Sequence, residues 1–207
     1  MKITKSILQR SAKALWTFPV FMAASSALGM IASAILSIEK TRLLENPAVE
    51  LLCDINPVYS CRSVALSEQA SVFGFSNELI GIAYFAGMLA LALGMIAGAT
   101  YKKWLHMLAW LGLGASMAIV VWFLYQSVYV INALCIYCSI VWIATWTLFV
   151  GYSRWLINAN LIPIPKKARI VRTIVNDYPV ALWFIGVAIA ATLILSHFWY
   201  FYNSYFS

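Results

Sequence analysis

Charge is scarce in this chain of 207 residues: Asp and Glu number 7, Lys and Arg 14, and together they make up 10% of the sequence. Soluble domains carry about 25%. A chain that is 63% hydrophobic with so few charges cannot cover itself with a polar surface. That excludes a water-soluble globular protein and leaves the bilayer as the solvent. The net charge of +7 would suit nucleic acid, but the basic residues stand in short clusters between apolar runs, a pattern of membrane topology and not of a nucleic-acid face. The apolar runs themselves carry no acidic or basic residue, so no ion path is marked through them. The sequence also lacks internal repeats and low-complexity tracts.

What is present is length in the apolar runs. A hydrocarbon core of about 30 Å needs roughly 20 helical residues. Trp16–Ile38, Leu79–Ala99 and Pro179–Tyr202 each qualify. Between Trp104 and Ser153 there is no Asp, Glu, Lys or Arg; fifty residues of helix would reach about 75 Å, so this stretch predicts two spans that break at the polar segment Gln126–Asn132. The first run is longer than the h-region of about 7–15 residues in a signal peptide, so it is expected to be retained. Small residues every fourth position, at Ser25, Gly29, Ser33 and Ser37 and again at Ala86, Ala90, Gly94 and Gly98, predict close helix–helix seams.

Lys and Arg set the orientation. Eleven of them lie in the N-terminal arm, at Lys102–Lys103 and between spans four and five; Lys40, Arg42 and Arg62 alone lie on the other side. The N-terminus is therefore expected in the cytoplasm, with an outer loop over 39–78 and a cytoplasmic linker over 154–176 that includes Pro163 and Pro165. The expected division is a four-helix unit over 1–153, that linker, and a fifth span with a short outer tail over 177–207.

This topology, drawn without using cysteine, puts Cys53, Cys61, Cys135 and Cys138 on the outer side, where disulfides persist. Cys135-Ile-Tyr-Cys138 opens span four. At a helix start the free N–H groups and the positive end of the dipole favour a thiolate, which is the attacking species in disulfide exchange. A Cys-x-x-Cys also serves metals, and two structural disulfides are a further reading. A zinc site usually spaces its cysteines by two to four residues, whereas seven separate Cys53 from Cys61. His106, near the cytoplasmic end of span three, and His197, in or beyond span five, are expected to be structural residues and not ligands.

The pattern Cys53-Asp54, Cys61-Arg62-Ser63-Val64, Ser67-Glu68, Val72-Phe73-Gly74, Asn77, Leu79-Ile80-Gly81 and Cys135-Ile136-Tyr137-Cys138 resembles the vitamin K epoxide reductase family, in particular its bacterial thiol-oxidising members, over about Cys53 to Trp142 and with span one fitting. The other bacterial quinone-linked thiol oxidase, of the DsbB type, carries its Cys-x-x-Cys on span two. The resemblance implies an all-α integral membrane protein, a four-helix bundle around a quinone (ubiquinone or menaquinone) with a fifth span added, in a bacterial inner membrane with its active site facing the periplasm. It implies that Cys135 and Cys138 are the active-site pair, with Cys138 toward the ring, and that Cys53 and Cys61 form a shuttle pair, in which Cys61 bridges to Cys135 and Cys53 meets the partner. That partner would be a periplasmic thioredoxin-fold protein (DsbA-like), expected as a separate chain because this one ends at Ser207. Such an oxidant can sit at about −120 mV, so the acceptor must be more oxidising. Asn77 matches an asparagine that donates to a quinone carbonyl, with a helix N-cap as its other reading; Ser67 matches a loop serine near the ring, with capping as its alternative. Trp142 stands where animal members have a tyrosine against the substrate, and its indole can only donate. The implied function is thiol:quinone oxidoreduction. Reduction of vitamin K epoxide or quinone for another pathway, and a non-catalytic four-cysteine metal protein, are the alternatives.

Overall fold

The computed structural model describes residues 2–162 and 169–206; Pro163, Pro165, Lys166 and Lys167 of the expected linker, and Ser207, lie outside the described residues. Among the described residues, eight α-helices run in the order α1 (Lys2–Glu45), α2 (Cys61–Ala65), α3 (Asn77–Ile96), α4 (Lys103–Gln126), α5 (Ile136–Asn158), α6 (Arg169–Asp177), α7 (Pro179–His197) and α8 (Trp199–Phe206). Among the described residues, five segments are long and apolar enough to cross a membrane: Thr17–Glu45, Asn77–Ile96, Lys103–Ile131, Ile136–Asn158 and Pro179–His197. The chain is an all-α membrane protein.

Hydrophobic length explains these helices, and local chemistry explains where they stop. α1 runs past its apolar segment to Glu45, so the outer connection begins later than the charge pattern suggests. Glu39 and Arg42, 3.4 Å apart on one helix face, and buried Leu43 keep the helix going until Asn46–Pro47, where the proline disfavours a helical residue before it. α7 starts on Pro179, where a missing N–H costs nothing. The break between α4 and α5 is a π turn over Ser127–Ile131 followed by Asn132 at φ 55°, a left-handed residue that ends the helix.

α1 packs on α3 and α5, α4 packs on α5, and α7 joins from outside against α5. No side chain of α7 is buried; Trp183 ties it down by donating to Thr147 Oγ1 at 2.9 Å while its carbonyl accepts from Trp146 at 3.1 Å. The bundle core is built on Met22, Phe85, Met88, Leu113, Leu148, Tyr152 and Leu156. Within it His106 Nδ1 lies 2.8 Å from Tyr152 Oη, and His197 Nε2 lies 2.7 Å from Asn132 Oδ1.

The first small-residue stripe forms a seam: a Cβ on Gly29 would stand 2.4 Å from the Phe85 ring, and Ser33 lies against Gly81. The second does not. Ala90 is exposed, Gly94 faces the Tyr101 ring, and Gly98 turns the chain at φ +89°. α3 meets α1 through Gly81, Phe85, Met88 and Ala92 instead, the face that can interdigitate with Met22.

Candidate functional site

All four cysteines meet at one end of the bundle, and a short backbone pairing puts them there. Tyr59 and Leu134 form an isolated parallel bridge: Leu134 N donates to Val58 O at 2.7 Å and Ser60 N donates to Leu134 O at 2.9 Å. Two chains that advance in parallel from that bridge bring Cys61 beside Cys135. The loop is pinned from its other side by Arg62. Its guanidinium donates to Pro47 O at 2.6 Å and to Val49 O, and pairs with Asp54 at 3.6 Å. Asp54 Oδ1 in turn accepts from Arg62 N and Ser60 Oγ, both at 3.1 Å.

Cys53 and Cys61 are joined in a disulfide, and Cys135 and Cys138 are free thiols. Cys61 Sγ stands 3.2 Å from Cys135 Sγ. Cys135 occupies the N-cap of α5, and its sulfur accepts from Cys138 N at 3.3 Å. The Cys138 thiol, bonding to that sulfur, is the main influence holding the Cys135 thiol below its ordinary value; the Cys138 and Tyr137 N–H groups add to it, and burial and the Glu78 carboxylate oppose it. A sulfur that carries charge readily therefore faces one end of a disulfide.

On the far side of Cys138 is a cavity of about 140 Å³. That is close to the roughly 150 Å³ that admits benzene in an engineered protein core. Its walls are mainly apolar, from Leu36, Val64, Phe85, Ile119, Phe123 and Val141, with Cys138, Asn77, Glu78, Tyr84 and Trp142 among them. Of the lining residues, Asn77 and Glu78 each hold a buried oxygen, Oδ1 and Oε2, that has no hydrogen-bond partner. An apolar slot of ring size with two unpaired acceptor oxygens among its lining residues suits an aromatic ring that bears hydroxyl groups.

The residues expected from sequence fall into two groups. Cys138, Asn77 and Trp142 line this cavity, Trp142 lying one turn after Cys138 on the same helix face. Asn77 is the first residue of α3, after the N-cap Ser76, and its Nδ2 donates to Gln69 O at 2.7 Å. Ser67 lies outside the cavity wall: its Oγ donates back to Val64 O at 2.7 Å. Two further charged residues stand at the site: Glu78, at the end of the expected outer loop, is buried against the cavity, and Lys40 is buried beside it. The sequence signal for Glu78 is an acidic residue in the first turn of an apolar helix, next to Asn77. Among the described residues no three His, Cys, Asp or Glu side chains converge as a metal would need.

A helical membrane bundle that aligns a loop disulfide with a helix-capping dithiol has the geometry of a membrane oxidoreductase. The comparisons give the family. The profile of the Vitamin K epoxide reductase family matches residues 20–152, more than half of the chain, and the chain belongs to that family. Its members are membrane oxidoreductases that exchange electrons between thiols or disulfides and a quinone or vitamin K, generally with thioredoxin-like partners. Comparison with curated proteins gives no match.

Proposed function

We propose that this protein is a bacterial thiol:quinone oxidoreductase that reoxidises a periplasmic thioredoxin-fold protein of the DsbA-like kind, passing electrons through Cys53–Cys61 and then Cys135–Cys138 to ubiquinone or menaquinone. The observation that carries the reading is the 3.2 Å approach of Cys61 to Cys135 across 74 residues of sequence. The charge asymmetry of the connections supports an inner-membrane location with this end of the bundle toward the periplasm. The family match over 20–152 supports a catalytic unit within 1–153.

The sequence of events follows from the thiol states. A partner dithiol attacks the loop disulfide and leaves oxidised, and Cys53 and Cys61 become thiols. Cys61 then attacks an oxidised Cys135–Cys138 pair at Cys135, and Cys53 resolves the mixed disulfide. That restores the loop disulfide and leaves Cys135 and Cys138 reduced, which is the state the structure displays. A quinone in the cavity supplies an acceptor of two electrons and two protons. Cys138 faces that space, Asn77 and Trp142 border it, and the apolar walls exclude water. Cys53 is 3% exposed, but Leu52 and Ile55 beside it are 81% and 65% exposed. An apolar partner surface would dock on that pair and lift the loop to reach the disulfide.

The test is quinol formation by the purified protein with reduced DsbA-like protein and ubiquinone-1 or menadione. Turnover in the native chain, and its loss in Cys135→Ser and Cys138→Ser, is expected. Unchanged turnover in either variant overturns the relay.

A further inference from the structure

Two charged side chains are buried beside the cavity, and the disulfide relay uses neither. Glu78 opens α3 and Lys40 sits on the part of α1 beyond its apolar run. They are 8% and 7% exposed, with Lys40 Nζ 3.7 Å from Glu78 Oε1. Lys40 Nζ also donates to Ala70 O at 3.0 Å and to Ser71 Oγ at 3.2 Å, and Ser71 is exposed. Glu78 lines the same cavity as Cys138, and its Oε2 has no hydrogen-bond partner. Burying such a pair costs several kcal/mol of desolvation and often stabilises no better than apolar residues would; leaving one carboxylate oxygen unpaired costs more. Stability therefore does not account for the arrangement. A chain of exchangeable groups from the surface to the cavity does.

Building on the thiol:quinone reading, we propose that Glu78 is a catalytic residue that delivers a proton to a ring oxygen in the cavity and is resupplied from water through Ser71 and Lys40. As the Cys135–Cys138 disulfide forms, two electrons leave the sulfurs for the quinone and both S–H bonds are lost. Two O–H bonds must form on the quinol. The Cys138 proton supplies one. Cys135 stands against Cys61 and does not line the cavity, so its proton leaves on the loop side and the second comes through Glu78. It crosses from the Lys40 ammonium to Glu78 as either flexible side chain closes the ion-pair gap, and leaves from Oε2. Lys40 regains a proton from water by way of the Ser71 hydroxyl. Protons and electrons balance without another reactant. Of the other titratable groups, Cys135 and Cys138 from α5 feel the charge of Glu78, and Tyr84, on the same helix as Glu78, lines the same cavity.

The experiment is single-turnover quinol formation from the fully reduced protein with ubiquinone-1, in water and in deuterium oxide. Glu78→Gln is expected to slow quinol formation by about 100-fold, the scale of a lost general acid, and to change the solvent isotope effect. Exchange between partner dithiol and loop disulfide, which needs no ring, should continue. The double variant Lys40→Met with Glu78→Gln, which leaves no unpaired buried charge, should be equally slow. A second readout needs no turnover: binding ubiquinol-1 to Cys138→Ser should perturb a carboxyl infrared band that disappears when Glu78→Gln is added. A rate within threefold of native in Glu78→Gln, a native rate in the double variant, or an unperturbed carboxyl band overturns the proposal. If the native protein makes no quinol at all, the thiol:quinone reading falls and the proposal falls with it, a result distinct from these.

Discussion

The contact between Cys61 and Cys135 lends itself to a quantitative test. Take the double variant Cys53→Ser with Cys138→Ser, in which these two are the remaining cysteines. Their sulfurs stand 3.2 Å apart, so forming a bond of about 2.04 Å needs an approach of only about 1.2 Å. One sulfur confined to a sphere of 3.2 Å radius about the other has a local concentration on the order of 10 M, against millimolar for groups joined by a short flexible linker. In a buffer of about 10 mM reduced and about 1 mM oxidised glutathione, an effective concentration of 10 M gives a linked-to-unlinked ratio of about 100. The assay is alkylation of free thiols after quenching in acid, followed by intact mass. Nearly complete linkage is expected. A linked fraction of half or less would put the effective concentration at about 0.1 M or below. The sulfurs would then not be held together, and the transfer from loop to helix would lose its basis.

Three further outcomes follow from the same geometry. Arg62→Ala, placed in that double variant, removes the guanidinium contacts to Pro47, Val49 and Asp54; one charge-assisted hydrogen bond is worth about 1.5–3 kcal/mol, so the effective concentration should drop at least tenfold in the glutathione titration, and an unchanged value would show that the Tyr59–Leu134 bridge alone holds the loop. The Cys135 thiol, held low chiefly by the Cys138 thiol, should keep its thiolate to a lower pH than a free cysteine of about 8.5. Cys138→Ala should move the midpoint upward, read as thiolate absorbance against pH, and a midpoint that stays put or falls refutes that cause. Tyr152→Phe deletes the partner of His106 Nδ1 in the bundle core; leaving a buried polar atom unmatched costs about 1–3 kcal/mol, seen as a lowered unfolding midpoint in detergent, and no shift would mean that the histidine finds another partner.

Much of the fold was legible because a bilayer asks a simple question of a sequence. Apolar length and charge spacing are local quantities, and they located all five spans, though the first runs on to Glu45 and not Ile38 and the fifth stops at His197 and not Tyr202. Where the reading slipped, local signals competed with packing. Glu39 to Glu45 looks like loop by charge yet remains helical, because Leu43 is buried and no residue before Asn46–Pro47 breaks the helix. Ala86, Ala90, Gly94 and Gly98 have the spacing of a seam, but spacing cannot say which face of α3 turns toward α1.

By itself the sequence determined five membrane-spanning helices, a dithiol at a helix start and a second cysteine pair in a connection on the same side. Each rests on a few adjacent residues, so each can be read without the rest of the chain. Which sulfur meets which was decided by tertiary structure. Cys61 faces Cys135 because the Tyr59–Leu134 bridge sets the register of two segments 75 residues apart. Glu78 and Lys40 became buried partners because α1 outruns its apolar segment and packs against the first turn of α3. Burial and contact between distant residues are properties of packing, and no window along the sequence contains them.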